Sequence, residues 1–179
     1  MDKLFAIITG LFVITLISYL IFYNRVIKLE YRHQEASSGI DVALSKRFEL
    51  ITNLVEVVRG YAKHEKEVLT IVTKIRGSDP SLRHDYNGAL AQSQSRLLAI
   101  AENYPDLKAS QNFLHLQKSL SDCEEHLQAA RRLMNRSAAE LNTTINQFPG
   151  TLFNKLLNKS DKKYFEAESS AQTPPVIEF

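Results

Sequence analysis

Hydrophobic positions along this chain fall into two regimes. From Leu4 to Tyr23 the stretch LFAIITGLFVITLISYLIFY is twenty residues long and carries no charge. As a helix rising about 1.5 Å per residue it spans roughly 30 Å, the thickness of a bilayer's hydrocarbon layer. That predicts one membrane crossing. A cleaved signal peptide is the competing reading, but its apolar region would run about 7 to 15 residues and end in a small-residue cleavage site. YNRVIK follows here instead. As a core helix the segment would need cover all round its circumference, and the rest of the chain is too amphipathic to supply it. Tyr19 and Tyr23 stand at its later end, where amphipathic rings favour the headgroup level.

After Asn24 the apolar residues become periodic. Leu44, Ile51 and Val58 recur every seven, with Phe48 and Val55 between them, which predicts a helix packed along one face. It continues the span as far as Gly60, with Gly39 as a candidate kink. A second helix is expected from about Tyr61 to Arg76, turning Val68, Leu69, Val72 and Ile75 inward. Asp79 as N-cap and Pro80 in the first turn open a third, reaching about Asn103. Leu82, Tyr86, Leu90, Leu97 and Ala101 form its stripe, and Tyr104-Pro105 closes it, because a residue before proline is pushed out of the helical region. The fourth is the clearest: Phe113, Leu120, Leu127, Met134, Leu141 and Phe148 fall every seven residues, joined by Leu116, Cys123, Ala130, Ala138 and Ile145. Such a seam is about 50 Å long and must be covered. FPG ends it, TLFNKLLNK is a short amphipathic piece holding Leu152, Phe153, Leu156 and Leu157, and AESSAQTPPVIEF has the composition of a disordered tail.

These elements predict an all-α protein, a single N-terminal transmembrane helix followed by a bundle of long antiparallel helices. The expected divisions are 1–23 for the N-terminal segment and span, 24–148 for the bundle, 149–166 for the amphipathic segment and 167–179 for the tail. Leu50, Leu54 and Val57 lie off the main stripe of the first bundle helix, a surplus that points to contact with further copies.

Composition narrows the partners. Lys and Arg number 22 against 20 Asp and Glu, a net charge of +2, without the basic footprint that nucleic acid requires. A bilayer, other copies of the chain and other membrane proteins are the expected partners. Lys3 stands beside Asp2 before the span while Arg25, Lys28 and Arg32 follow it, so the positive-inside rule puts the N-terminus outside and the bundle on the cytoplasmic face of a bacterial membrane. The single cysteine, Cys123, excludes an intramolecular disulfide and reads as a small core residue.

One stretch resembles chemistry: GYAKHEKEVLTIV, where His64 precedes Glu65. A zinc peptidase helix needs H-E-x-x-H so that two imidazoles share a face, and four residues after His64 comes Val68. Among His33, His84, His115 and His126, the last two share a face but stand roughly 16 Å apart along a helix, too far for one ion. Glu65 and Glu67 instead complement a helix dipole. No G-x-S-x-G, P-loop or G-x-G-x-x-G is present. Asp122, Glu124 and Glu125 beside His126 read as a solvated face. No catalytic, metal or cofactor residue is assigned, and no enzymatic activity is expected. Asn53, Asn112, Asn135, Asn142 and Asn146 are expected to fix register between helices, since a buried amide must be hydrogen-bonded.

YNRVIKL, IDVALSKRFELITNLVEVVRGYAKHE, LLAIAENYPDLKASQNFLHLQKSL and INQFPG, in that order and spacing, resemble the LemA family from Tyr23 to about Phe165. The resemblance implies one membrane helix and a cytoplasmic bundle of long antiparallel helices, with no established catalytic activity. The chain departs from the family at Thr52, where proline is frequent, at Ser37, where an aromatic is frequent, and at Met134-Asn135 and Leu141-Asn142, where a Tyr-Asn pair tends to repeat. The function expected is that of a membrane-anchored, non-catalytic helical scaffold that assembles with itself. The alternatives are a small-ligand or signal sensor with a site around Tyr61, His64 and Tyr104, or an accessory subunit of a membrane peptidase or secretion system.

Overall fold

The computed structural model describes residues 1–63, 65–77 and 83–165. They form six helices: α1 (Asp2–Tyr61), α2 (Lys66–Arg76), α3 (Arg83–Ala101), α4 (Pro105–Lys108), α5 (Gln111–Asn146) and α6 (Gly150–Leu157). No strand occurs among the described residues, and the all-α class holds. The expected cap at Asp79 and Pro80, Leu82 and the tail lie outside the described residues, as do the side chains of Leu69, Val72 and Ile75.

The span and the first bundle helix are one element. α1 runs through Gly39 without interruption, and a Cβ added there would make only ordinary contact, 3.9 Å from the Ala130 Cβ. Its N-terminal stretch is long and apolar enough to cross a membrane, and its most apolar window buries nothing against protein. Two threonines are accommodated in it by back-bonding: Thr9 Oγ1 donates to the Phe5 carbonyl and Thr15 Oγ1 to that of Leu11, both at 2.9 Å. Each hydroxyl is thereby satisfied inside its own helix, the condition for entering hydrocarbon.

The chain divides into two compact units. The first joins Met1–Ser37 to Arg131–Glu166. Its core is small: Phe22, Val26 and Leu29 of α1, Leu141 and Ile145 of α5, and Phe153 of α6, with Tyr19 and Leu157 packed against them. Phe153 anchors α6, its ring 5.7 Å from Tyr19 edge-on and 5.5 Å from Phe22. Gly150 allows the approach, because a Cβ there would overlap the Thr144 carbonyl oxygen and press on the Phe22 ring. Phe148, expected to close the heptad seam, is instead 80% exposed. α5 stops at Asn146, so Phe148 follows the last helical residue and leaves the register.

The second unit is built on Ser38–Ala130. Its core takes Ile40, Leu44, Ile51 and Val58 from α1, Val68 and Ile71 from α2, Tyr86, Leu90 and Leu97 from α3, Leu107 from α4, and Phe113, Leu120, Cys123 and Leu127 from α5, all buried. Leu50 and Leu54 are buried with them, at 7% and 0% exposure. The surplus inferred from their offset is therefore internal at Leu50 and Leu54, while Val57 is half-buried: α1 is wrapped over a wider arc than a single stripe. At Tyr104 the backbone is extended (φ −126°, ψ 86°), as Pro105 demands, and three i to i−3 bonds tighten the end of α3 before it. The third helix, expected to reach about Asn103, thus ends at Ala101, and the short helix α4 follows Tyr104.

A charge sits inside this unit. Arg47 is 7% exposed; its Nη1 donates to Asn87 Oδ1 at 2.8 Å and Glu124 Oε2 at 2.7 Å, and its Nη2 to Gln94 Oε1 at 3.1 Å. Side chains of α3 and α5 thereby converge on one guanidinium from α1, whose planar fork suits several acceptors at once. Sequence reasoning missed it, although Arg47 lies four residues before Ile51 on the apolar stripe. Removing a partner from a buried pair leaves an uncompensated charge, at a cost of about 3–5 kcal/mol, and the partial exposure of Glu124 sets the lower end. Arg47→Ala is expected to lower unfolding free energy by about 3 kcal/mol, measured by denaturant titration of the full chain in detergent, with helical content retained before the transition.

Candidate functional site

In the first unit the polar groups follow a different logic. After α6 the chain turns at Asn158, whose left-handed conformation (φ 49°, ψ 42°) asparagine tolerates, and runs on without helix to Phe165. Such a stretch leaves backbone groups unpaired, and asparagines of α5 meet them. Asn135 accepts from the Phe165 amide at 2.6 Å and donates to its carbonyl at 3.1 Å; Asn142 does the same for Lys162 at 2.8 and 2.9 Å. A primary amide offers one acceptor and two donors, so it pairs with a peptide unit as another strand would. The spacing closes: seven helical residues advance about 10.5 Å and three extended ones about 10 Å. Asn146 Nδ2 adds a bond to Asp161 Oδ1 at 2.7 Å, Lys159 pairs with Glu30 at 2.8 Å, and the Phe165 ring lies 4.8 Å from the Arg131 guanidinium. The expectation that these asparagines fix register between helices is corrected: Asn135 and Asn142 hold an extended segment, and Asn53 and Asn112 are exposed.

Two grooves open in this unit. One, of about 720 Å³, is lined by Arg25, Lys28 and Arg32 on α1, by Glu140 and Thr144 on α5, and by the Phe148–Gly150 turn with Phe153. The other, about 520 Å³, lies beside His33, with Glu30 and Lys162 on its wall. His33 Nδ1 is 3.1 Å from Ser137 Oγ, and that hydroxyl donates to the Met134 carbonyl at 2.7 Å. The serine proton is thereby committed, so Oγ accepts from His33 Nδ1–H. Burial holds His33 below its ordinary value, Lys162 pushes the same way and the Met134 carbonyl opposes.

None of this assembles a reaction centre. His115 and His126 are exposed, and no group of three His, Cys, Asp or Glu side chains converges on a metal-sized space among the described residues. His64 and the side chain of His84 lie outside those residues. Tyr61 is 47% exposed, and neither groove is lined by Tyr61 or Tyr104. Cys123 is buried, its thiol 3.4 Å from the Ala43 carbonyl, and burial pushes its pKa up despite Arg47 nearby. A thiol that stays protonated is a packing group, not a nucleophile.

The sequence that forms these elements has known relatives. Residues 36–179, well over half of the chain, match the LemA family. The chain belongs to the LemA family. A magnetosome protein of Magnetospirillum gryphiswaldense, MamQ, is 22% identical over 85% of this chain and 67% of its own length. Protein LemA of Metamycoplasma hominis is 27% identical over 70% of this chain and 60% of its own. The magnetosome protein MamQ 2 of Paramagnetospirillum magneticum is 22% identical over 94% and 74% respectively. The chain thus spans 60 to 74% of these relatives' lengths. The LemA match begins at Ala36, so Arg25, Lys28 and Arg32 precede it.

Two outcomes follow from this geometry. Each asparagine clamp supplies two bonds worth about 1 kcal/mol apiece, so Asn142→Ala is expected to raise local opening of the Lys159–Phe165 segment roughly tenfold or more. Trypsin cleavage at Lys162 or Lys163, timed by mass spectrometry, measures it. For His33 the unfolded chain takes up a proton first as pH falls, because its imidazole titrates near 6.5 and the folded one lower. Its contribution to stability is full above about pH 6.5 and is lost as pH drops from there through the folded value. The melting temperature is expected to fall more steeply below pH 6.5 in the native chain than in His33→Gln, followed by circular dichroism.

Proposed function

We propose that this LemA-family chain is a membrane-anchored, non-catalytic helical scaffold, held by the first turns of α1 and assembling with itself at the cytoplasmic face. The observation that carries the anchor is the exposed apolar stretch of α1: Leu4, Phe5, Leu11, Phe12, Ile14 and Ile21 are each at least 64% exposed within the uncharged stretch from Leu4 to Tyr23. In water that surface costs about 25 cal/mol per Å², and lipid removes the cost. Against catalysis stands the disposition of the reactive side chains. Arg47 and Glu124 are committed to each other, and Cys123 is held as a buried thiol. The sidedness rests on Arg25, Lys28 and Arg32 after the span against Lys3 before it.

Self-assembly draws on the span. With Leu50 and Leu54 internal, the largest uncovered apolar surface is the membrane helix, where helices associate by packing within lipid. The chain is expected to stay with membranes through alkaline carbonate and to come off only with detergent; release by carbonate alone would remove the anchor. Cross-linking in native membranes should give dimers or larger species, and a purely monomeric band would remove the self-assembly while leaving the anchor intact. A reporter fused after Phe179 should be active only on the cytoplasmic side.

A further inference from the structure

The groove at the end of the span carries charges the scaffold does not use. Arg25, Lys28 and Arg32 stand at positions i, i+3 and i+7 of α1 and share one face. All three are exposed, and none forms an ion pair with any described residue. The single carboxylate in the lining, Glu140, is engaged by Arg136 at 3.0 Å. Ser18, Ile21 and Phe22, at the close of the apolar stretch, line the same groove, as do Phe148 and Phe153. It is therefore greasy at the end towards the span and cationic at the other.

Depth fixes what such a groove meets. Taking Tyr23 as the last residue in hydrocarbon, Arg25 lies about 3 Å and Lys28 about 7.5 Å beyond it, within a headgroup layer some 5–8 Å thick. Arg32 lies about 13 Å out, and its long side chain shortens the gap. Helical side chains tilt towards the helix N-terminus, which here is the membrane side. On the far side of the groove α6 turns Leu152 and Leu156 outward, at 58% and 76% exposure, beside an 80% exposed Phe148. Such an amphipathic piece settles at the acyl boundary. A guanidinium and an ammonium facing the headgroups, above an apolar trough, complement a phosphate joined to acyl chains.

We infer that this groove binds an anionic phospholipid, its phosphate held by Arg25 and Lys28 with Arg32 as an outer contact, and its acyl chain laid along Ile21, Phe22 and Phe148. The inference rests on the membrane anchoring proposed above and adds a specific lipid site to it. The site selects by headgroup charge, and α6 closes one of its sides.

The full chain, purified in a neutral detergent and mixed with equal amounts of phosphatidylglycerol and phosphatidylcholine of matched acyl chains, is the material to test by native mass spectrometry. The native chain is expected to retain phosphatidylglycerol in preference, at about fivefold for each contributing cation. Arg25→Gln with Lys28→Gln should abolish the preference, Arg25→Lys with Lys28→Arg should keep it, and Lys118→Gln, an exposed cation on α5 in the other unit, should change nothing. Helical content and melting temperature of each variant separate loss of the site from loss of fold. Inorganic phosphate added at tens of millimolar should leave the bound lipid in place; displacement of the lipid by phosphate alone would make this a free-anion site and overturn the lipid assignment. Equal retention of the two lipids by the native chain, or undiminished preference in the double glutamine variant, would likewise overturn it. Either result with the protein still resistant to carbonate extraction removes the lipid site and leaves the anchor standing, whereas release by carbonate removes both.

Discussion

The structure depends on how the apolar surface of one unbroken helix is covered. α1 carries hydrophobic residues for sixty positions, but their arrangement changes along it. At the start they point in every direction, and no protein packs on them. Further on they narrow to an arc that α5 covers in antiparallel fashion, with His33 against Ser137 in one unit and Ala43 against Cys123 in the other. Because the helix does not break after Tyr23, a position in its next turns has a fixed rotation and rise relative to the apolar stretch. A flexible linker would lose that relation. The basic residues just after Tyr23 gain a defined depth and facing from it, which is what makes them legible as a group.

The two units satisfy their polar groups in opposite ways. In the second, a continuous apolar core encloses one cation, and Asn87, Gln94 and Glu124 complete it from within. In the first, six core side chains are too few to hold an extended C-terminal segment by burial alone, and paired amide bonds from Asn135 and Asn142 take that part. Side-chain amides substitute for a missing strand. The arrangement is tolerant of sequence in the held segment, since it reads backbone, and demanding of the asparagines, since aspartate lacks the donor and alanine lacks both groups.

Much of this was legible from periodicity and some was hidden by it. The heptads of α5 marked Phe113, Leu120, Leu127 and Leu141 as core, and they are buried to 2% exposure or less. The same count failed at Phe148, because periodicity carries no information about where a helix stops and the proline that follows does. Leu50 and Leu54 were read as surplus because the narrow stripe of a two-helix seam was applied to a helix with neighbours on several sides. Arg47 was not singled out, although a charge inside an apolar stripe is itself the signal of a buried partner. The asparagine clamps had no such signal, since their partner is an extended segment without repeating pattern and pairs through backbone atoms any sequence would supply.

The same contrast explains why chemistry concentrates near the span. A cation inside a bundle must be neutralised by the bundle, as Arg47 is, because desolvating it unpaired is prohibitive. A cation at the headgroup level is under no such demand, since water and lipid phosphates are both available to it, and the fold can leave it unpaired. Arg25, Lys28 and Arg32 carry no protein counter-ion among the described residues, while Glu140 across the groove is already engaged by Arg136. In the site proposed above, water solvates these cations until an anionic headgroup replaces it, and the apolar trough beside them takes the acyl chain that a free anion lacks.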